Sequence, residues 1–201
     1  MNIIIFGGCG FIGSRTAQIL KEQGYQVCTP DRRAFDFLHP DETAARRLLE
    51  GQDVLINCIG IMSRHAEILE TVHHHTPKQL AVWANAAGIK RWVQLSALGA
   101  DPSQSINFVG SKGRGDDAIA QSGIPIAIAR PSVVYGRGGT SCELFIKLAR
   151  LPLLPLPEAG RFHLQPVHLA DVAEGLAKLA VQADTDYGII NMIGSKTLTL
   201  A

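Results

Sequence analysis

Apolar residues along this chain come in short blocks, alternately strand-like and helix-like, parted by glycine, proline and polar clusters. Residues 2–6 form a compact β-rich run, residues 26–29 a shorter one, and residues 53–59 a continuous apolar stretch of the kind that parallel sheets bury on both faces. Residues 91–96 and 125–130 repeat that pattern. Between them, helices are predicted over residues 16–23, 41–50 and 67–88, the last interrupted at Pro77 and capped by Gly88, and a further helix ends over residues 118–122. Residues 31–40 read as a short third strand or a turn. Strands alternating with helices predict an α/β fold with a doubly wound parallel sheet, a Rossmann fold, whose ligand crevice lies at the carboxyl edge.

The composition fits one domain and narrows the function. With 201 residues, 46% hydrophobic and 18% charged, the chain suits a single globular unit over 1–201. A formal net charge of +1 and the absence of any long basic run exclude an electrostatic footprint for nucleic acid. Cysteines 9, 28, 58 and 142 lack CxxC spacing and read as small core residues in a reducing, cytoplasmic compartment. The N-terminus enters a strand directly, so secretion is not expected, and no apolar run is long enough to span a membrane.

The first strand runs straight into Gly7-Gly-Cys-Gly10-Phe-Ile-Gly13, followed by a helix-like segment. Strand, glycine turn and helix N-terminus form a dinucleotide-binding opening. Glycine permits a positive φ and lets the backbone approach a pyrophosphate, while the helix N-terminus attracts the phosphates. Gly7, Gly10, Phe11, Ile12 and Gly13 are therefore candidate cofactor contacts. The next strand ends at Asp31, where a carboxylate can accept hydrogen bonds from an adenosine ribose. Arg32, Arg33 and Arg15 could instead neutralise a 2′-phosphate, so NADP is expected over NAD, with dual use of the two.

Two other features invite functional readings. His73, His74 and His75 are consecutive, and on an α-helix sequence neighbours point about 100° apart, so no metal is expected there. Residues 151–157, with leucines between prolines, read as a lid or a wall of the substrate pocket rather than a docking peptide.

The glycine motif, Asp36-Phe37, residues 57–60, Leu95-Ser-Ala97, Arg130-Pro-Ser-Val-Val-Tyr-Gly136 and Gln165-Pro-Val-His-Leu-Ala-Asp171 together resemble the short-chain dehydrogenase/reductase superfamily in its extended or atypical branch. The segment from Gln94 to Asp101 and the late proline-leucine segment are similar to the atypical, epimerase/dehydratase-like subgroup that includes complex I accessory subunits. The resemblance implies cofactor contacts at Asp36 and Phe37 beside the adenine, and at Asn57, Gly60, Pro131 and Val133. It also implies a strand-end serine that orients a substrate carbonyl, and a Tyr-x-x-x-Lys pair that supplies a proton donor and holds the nicotinamide ribose. Ser96 matches the serine and Lys112 the lysine. The tyrosine position is Phe108.

That departure leaves two functions open. One is an NAD(P)-dependent oxidoreductase or sugar-nucleotide epimerase-like enzyme with an impaired site, acting on a small carbonyl, sugar-nucleotide or quinone-like compound. The other is a catalytically silent NAD(P)H-binding sensor or assembly protein. Gly110, Gly113 and Gly115 on the Lys112 helix point to a late helix start or to close packing, including packing against a second subunit in a homodimer. A small substrate or lid portion is expected around 137–201. Residues 189–201 look like the late strand of that superfamily followed by the first turn of a helix. Relatives of this kind continue past that point, some into a membrane-associated region, so the chain is expected to be truncated.

Overall fold

Ile3 and Ile5 of the first strand pack on one side of the sheet and Ile4 and Phe6 on the other, all of them buried. This two-residue alternation with both faces apolar is what a central parallel strand requires. The computed structural model describes residues 1–139, 161, 163–182 and 188–199. Strands β1 (Asn2–Phe6), β2 (Gln26–Cys28), β3 (Val54–Asn57), β4 (Arg91–Leu95), β5 (Ile126–Pro131) and, last in the chain, β8 (Gly188–Met192) form one all-parallel sheet in the order β2-β1-β3-β4-β5-β8. Strands β6 (Val134–Tyr135) and β7 (Val167–His168) pair separately. The predicted α/β doubly wound sheet is the observed fold.

Helices α1 (Phe11–Glu22) and α6 (Leu169–Val181) cover one face, where Leu20 and Leu176 meet Ile5, Ile56 and Val93. Helices α2 (Glu42–Leu49), α4 (Thr76–Ala86) and α5 (Asn107–Ala120) cover the other, around Leu49, Leu80 and Trp92. The chain steps outward from β1 to β2 and then returns to β3 on the opposite side of β1. The carboxyl ends of β1 and β3 are therefore the switch point at which such sheets open a crevice.

Two sequence expectations are corrected, and one left open is decided. Helix α1 begins at Phe11, well before residue 16, because Gly13 packs within its first turn: a Cβ there would overlap the Gly7 carbonyl. Residues 31–40 form turns, not a strand, closed by backbone bonds to the Asp31 and Asp36 carbonyls. Pro77 does not break the long helix. Helix α3 (Ala66–Glu70) continues through a π-helical turn, Thr71–His75, into α4. The widened turn directly precedes Pro77, whose ring needs room and whose missing N–H leaves a carbonyl unpaired.

The glycines of α5 serve packing inside the molecule. A Cβ on Gly115 would collide with the His73 carbonyl, one on Gly113 with the Asp101–Pro102 backbone, and one on Gly110 would lie 2.6 Å from the Gln104 carbonyl. The helix starts at Asn107, so a late start is not the explanation. Cys9 is exposed in the glycine turn rather than buried in the core, and Cys28 and Cys58 are half-buried. Cys142 and the lid expected over 151–157 lie outside the described residues. Among those residues no helix is long and apolar enough to cross a membrane.

Candidate functional site

The glycine turn shapes the first wall of the crevice. Gly7 has φ +77°, a conformation that other residues adopt at a cost, and a Cβ on it would lie 2.9 Å from the Cys58 carbonyl carbon. Gly10 is ordinary extended backbone, with φ −83° and ψ 177°, so its role is lack of bulk rather than conformational freedom. As N-cap of α1 it has no side chain to offer, and the first turn carries no acidic residue. The first-turn amides and the positive end of the helix dipole thus meet the crevice without a protein carboxylate in the way. That arrangement suits a diphosphate.

Two adjoining cavities follow the carboxyl edge. The larger, about 560 Å³, is bounded by Gly10, Phe11, Ile12 and Gly13 on one side and by Ser96, Phe108, Lys112 and Pro131 on the other, with Gly60 also on its wall. The smaller, about 260 Å³, is bounded by Gly7, Asp31, Arg32, Asp36 and Phe37. Ile59 and Ile61 line both. Two predicted contacts are not brought there. Asn57 is buried behind the crevice, donating to Gln94 Oε1 at 3.1 Å and accepting from the Ile59 N–H at 3.1 Å. Val133 lines a separate cavity with Tyr135 and His168, while its neighbours Ser132 and Val134 line the crevice.

In the smaller cavity, Asp31 Oδ1 accepts from the N–H groups of Arg33 and Ala34, both at 3.0 Å, and so builds its own turn. Asp36 accepts from the Leu38 N–H at 2.9 Å and pairs with Arg32 at 3.3 Å; the first of these contacts does most to hold its carboxyl below the usual range. Phe37 is buried in a cluster with Phe6 and Phe35.

Helix α5 supplies the floor of the larger cavity. Lys112, 5% exposed, donates from Nζ to the Leu95 carbonyl at 2.9 Å. Burial pulls its ammonium down to about 8, against the opposing pull of Asp116 and Cys58. One turn further on, Asp116 Oδ2 accepts from Ser96 Oγ at 2.6 Å and from Arg130 Nη2 at 2.9 Å. Burial raises the Asp116 carboxyl, while Ser96 and Arg130 act in the other direction.

Phe108 opens the helix with its ring set edge-on to His73, centroids 5.4 Å apart at 89°. His73 Nε2 accepts from the Ile61 N–H at 3.2 Å, which places the ring proton on Nδ1, 3.0 Å from Ser111 Oγ. Ser111 in turn donates to the Phe108 carbonyl at 3.1 Å. Burial pushes His73 down to about 3, so it stays neutral. None of the candidates nearest in sequence takes the place of the tyrosine hydroxyl: Ser111 is engaged behind the ring, Asn107 is exposed, and Tyr135 faces the separate cavity.

A family model, the NAD dependent epimerase/dehydratase family, matches residues 3–106, which is more than half of the sequence and includes the glycine turn, the crevice loop and Ser96. The chain belongs to this family. Among relatives of this epimerase/dehydratase chain, the mitochondrial NADH dehydrogenase [ubiquinone] 1 alpha subcomplex subunit 9 of Arabidopsis thaliana is 28% identical over 195 residues, covering 86% of this chain and 48% of that protein. A ceramide reductase of Caulobacter vibrioides is 30% identical over 192 residues, covering 87% of this chain and 59% of that protein. This chain therefore spans about half the length of these relatives. The UDP-glucuronic acid 4-epimerase of Bacillus cereus in complex with NAD shares the fold with a TM-score of 0.80 at 18% identity, covering 100% of this chain and 81% of that one. The superfamily resemblance read from the sequence is borne out, and with it membership in an NAD(P)-binding family.

Sequence reasoning missed three side chains in this epimerase/dehydratase site. Asp116 was legible as the residue four after Lys112 on one helix face, and Arg130 stood in the quoted motif, but their pairing under Ser96 was not. In the sequence His73 carries no signal apart from its place in the histidine run. The expectation that adjacent histidines diverge assumed α-helical spacing. Where α3 runs into the π turn, donor atoms of Glu70, His74 and His75 lie within 4.8 Å of one another. Arg114 already pairs with that Glu70 carboxylate and donates to the Pro102 carbonyl as well.

Proposed function

We propose that this protein binds a nicotinamide dinucleotide along the two cavities and uses it to reduce or oxidise a small carbonyl or alcohol. The observation that carries this reading is the uncapped N-terminus of α1 on the wall of the larger cavity, opposite the buried amine of Lys112. The diphosphate would lie against Gly10, Phe11, Ile12 and Gly13, the adenosine would lie between Asp31, Arg32, Asp36 and Phe37, and Lys112 would hold the nicotinamide ribose. When bound, the reduced nicotinamide supplies a hydride. Ser96, Phe108, Pro131 and Lys112 then enclose the reacting centre. The wall is otherwise built from apolar residues such as Phe11, Ile59, Ile61 and Val134, and Met62 on it is 81% exposed, which favours an apolar carbonyl over a sugar nucleotide.

NADP is proposed over NAD. One oxygen of Asp31 is committed to its own turn, while Arg32 lies on the wall of the smaller cavity in an exposed pair with Asp36 that a 2′-phosphate would replace. Phe108 lowers turnover by withholding a hydroxyl, a contribution of about 10²–10⁴-fold when present. The same residue supports a second reading, in which the chain binds the cofactor without turnover; the name of the Arabidopsis relative fits an assembly role of that kind. Calorimetric titration with NADPH and NADH, followed by oxidation of the bound cofactor with carbonyl and quinone compounds, separates the two. Binding with turnover supports the enzyme, binding alone the silent binder, and no binding removes both.

A further inference from the structure

We propose that the Lys112 ammonium is itself the proton donor to the oxygen of a bound carbonyl compound, taking over the task that Phe108 cannot perform. This rests on the nicotinamide-dependent reading above and goes beyond it by assigning the acid. Among the described residues on the wall of the larger cavity or directly behind it, the other protic side chains are committed or too weak. Ser96 gives its proton to Asp116 Oδ2 at 2.6 Å, an oxygen that also takes two N–H bonds from Arg130, so the serine turns lone pairs rather than a donor toward the cavity. His73 is neutral, with Nδ1 held by Ser111 and Nε2 by the Ile61 N–H. Burial pushes the Cys58 thiol up to about 12, and the Ser132 hydroxyl is a weaker acid still.

Lys112 differs on each count. Its Nζ carries three protons and gives one to the Leu95 carbonyl, and the amine reaches across the cavity until a methyl placed on Gly60 would lie 3.5 Å away. The titratable groups that face it are Asp116 on its own helix, Cys58 beyond β3 and His73 on the π turn, with the Arg130 guanidinium behind Asp116. Burial brings its acidity to about 8, where proton transfer near neutral pH is effective. In the reductive direction the carbonyl carbon receives the hydride and its oxygen receives the proton. The N–H bond breaks with its electron pair left on nitrogen, an O–H bond forms, and water restores the ammonium. In the oxidative direction the neutral amine removes the alcohol proton.

The test uses the wild type, Lys112→Arg and the Phe108→Tyr/Lys112→Arg double variant. Three readouts are required: the NADPH dissociation constant, the 15N-detected NMR titration of the lysine Nζ without cofactor, and kcat against pH for carbonyl reduction. Expected are an Nζ signal that titrates near 8 and vanishes in Lys112→Arg, and a wild-type kcat that falls about tenfold per pH unit above that value. Arginine keeps the charge but does not release a proton, so Lys112→Arg should bind NADPH and lose about 100-fold or more in kcat. The added tyrosine should restore part of that loss. A Lys112→Arg variant that turns over within about threefold of wild type, or a wild-type profile flat through this range, overturns the assignment. NADPH bound by wild type with no turnover of any carbonyl also overturns it and leaves the silent binder standing, whereas failure to bind NADPH at all removes the underlying reading.

Discussion

Ser96 Oγ lies 2.6 Å from Asp116 Oδ2, and the same carboxylate oxygen accepts from Arg130 Nε at 3.1 Å and Nη2 at 2.9 Å. One buried carboxylate thus ties the end of β4, helix α5 and the end of β5 together beneath the cavity floor. Removing it would strand a largely buried guanidinium. Asp116→Ala is expected to cost roughly 3–5 kcal/mol in urea unfolding. A loss below about 1 kcal/mol would show the pair to be energetically idle.

His73 should make the fold acid-sensitive. The unfolded chain takes up a proton near pH 6.5, while the folded one resists until about 3. The stability owed to the neutral ring is therefore complete above 6.5 and is lost as pH falls toward 3, at about 1.4 kcal/mol per unit of displacement. His73→Gln should flatten the stability profile over that window in denaturant titrations. Equal slopes for wild type and variant would place the acid sensitivity elsewhere.

Gly115 sets the approach of α5 to the π turn, since a Cβ there would collide with the His73 carbonyl. Gly115→Ala should lower stability by about 1–3 kcal/mol despite the better helix propensity of alanine. A rise in the thermal midpoint would show that the two helices can separate at little cost.

These contacts also mark how much could be read from the sequence. The alternation of Ile3 and Ile5 against Ile4 and Phe6 announced a doubly covered parallel strand, and the four-residue step from Phe108 to Lys112 announced one helix face. The π turn was not legible, because it is favoured by the room Pro77 needs and by packing against a glycine helix remote in sequence. Nor was the start of α1, where two glycines weaken the local helical signal and tertiary packing overrides it. The commitment of Ser96 to Asp116 depends on neighbouring strands meeting one helix, a relation that no local pattern encodes.

Arg32 bears on cofactor choice. It lies on the wall of the smaller cavity and pairs with Asp36 across 3.3 Å through a side chain that is 71% exposed, so exchanging that partner for a phosphate costs little. Arg32→Gln should weaken NADPH binding by about tenfold and leave NADH binding nearly unchanged. Equal weakening of both would make Arg32 a structural residue of the turn.

The most direct test of the account is calorimetric titration of the wild-type protein and of Gly10→Val with NADPH. Valine tolerates the extended backbone at position 10, and its Cβ would stand 3.2 Å from the Gly7 carbonyl, so the variant should fold with an unchanged far-ultraviolet circular dichroism spectrum. Its side chain would nonetheless occupy the approach to the first-turn amides. The account predicts saturable binding by the wild type and none by the folded variant. No binding by the wild type, or the same affinity in both, would contradict it.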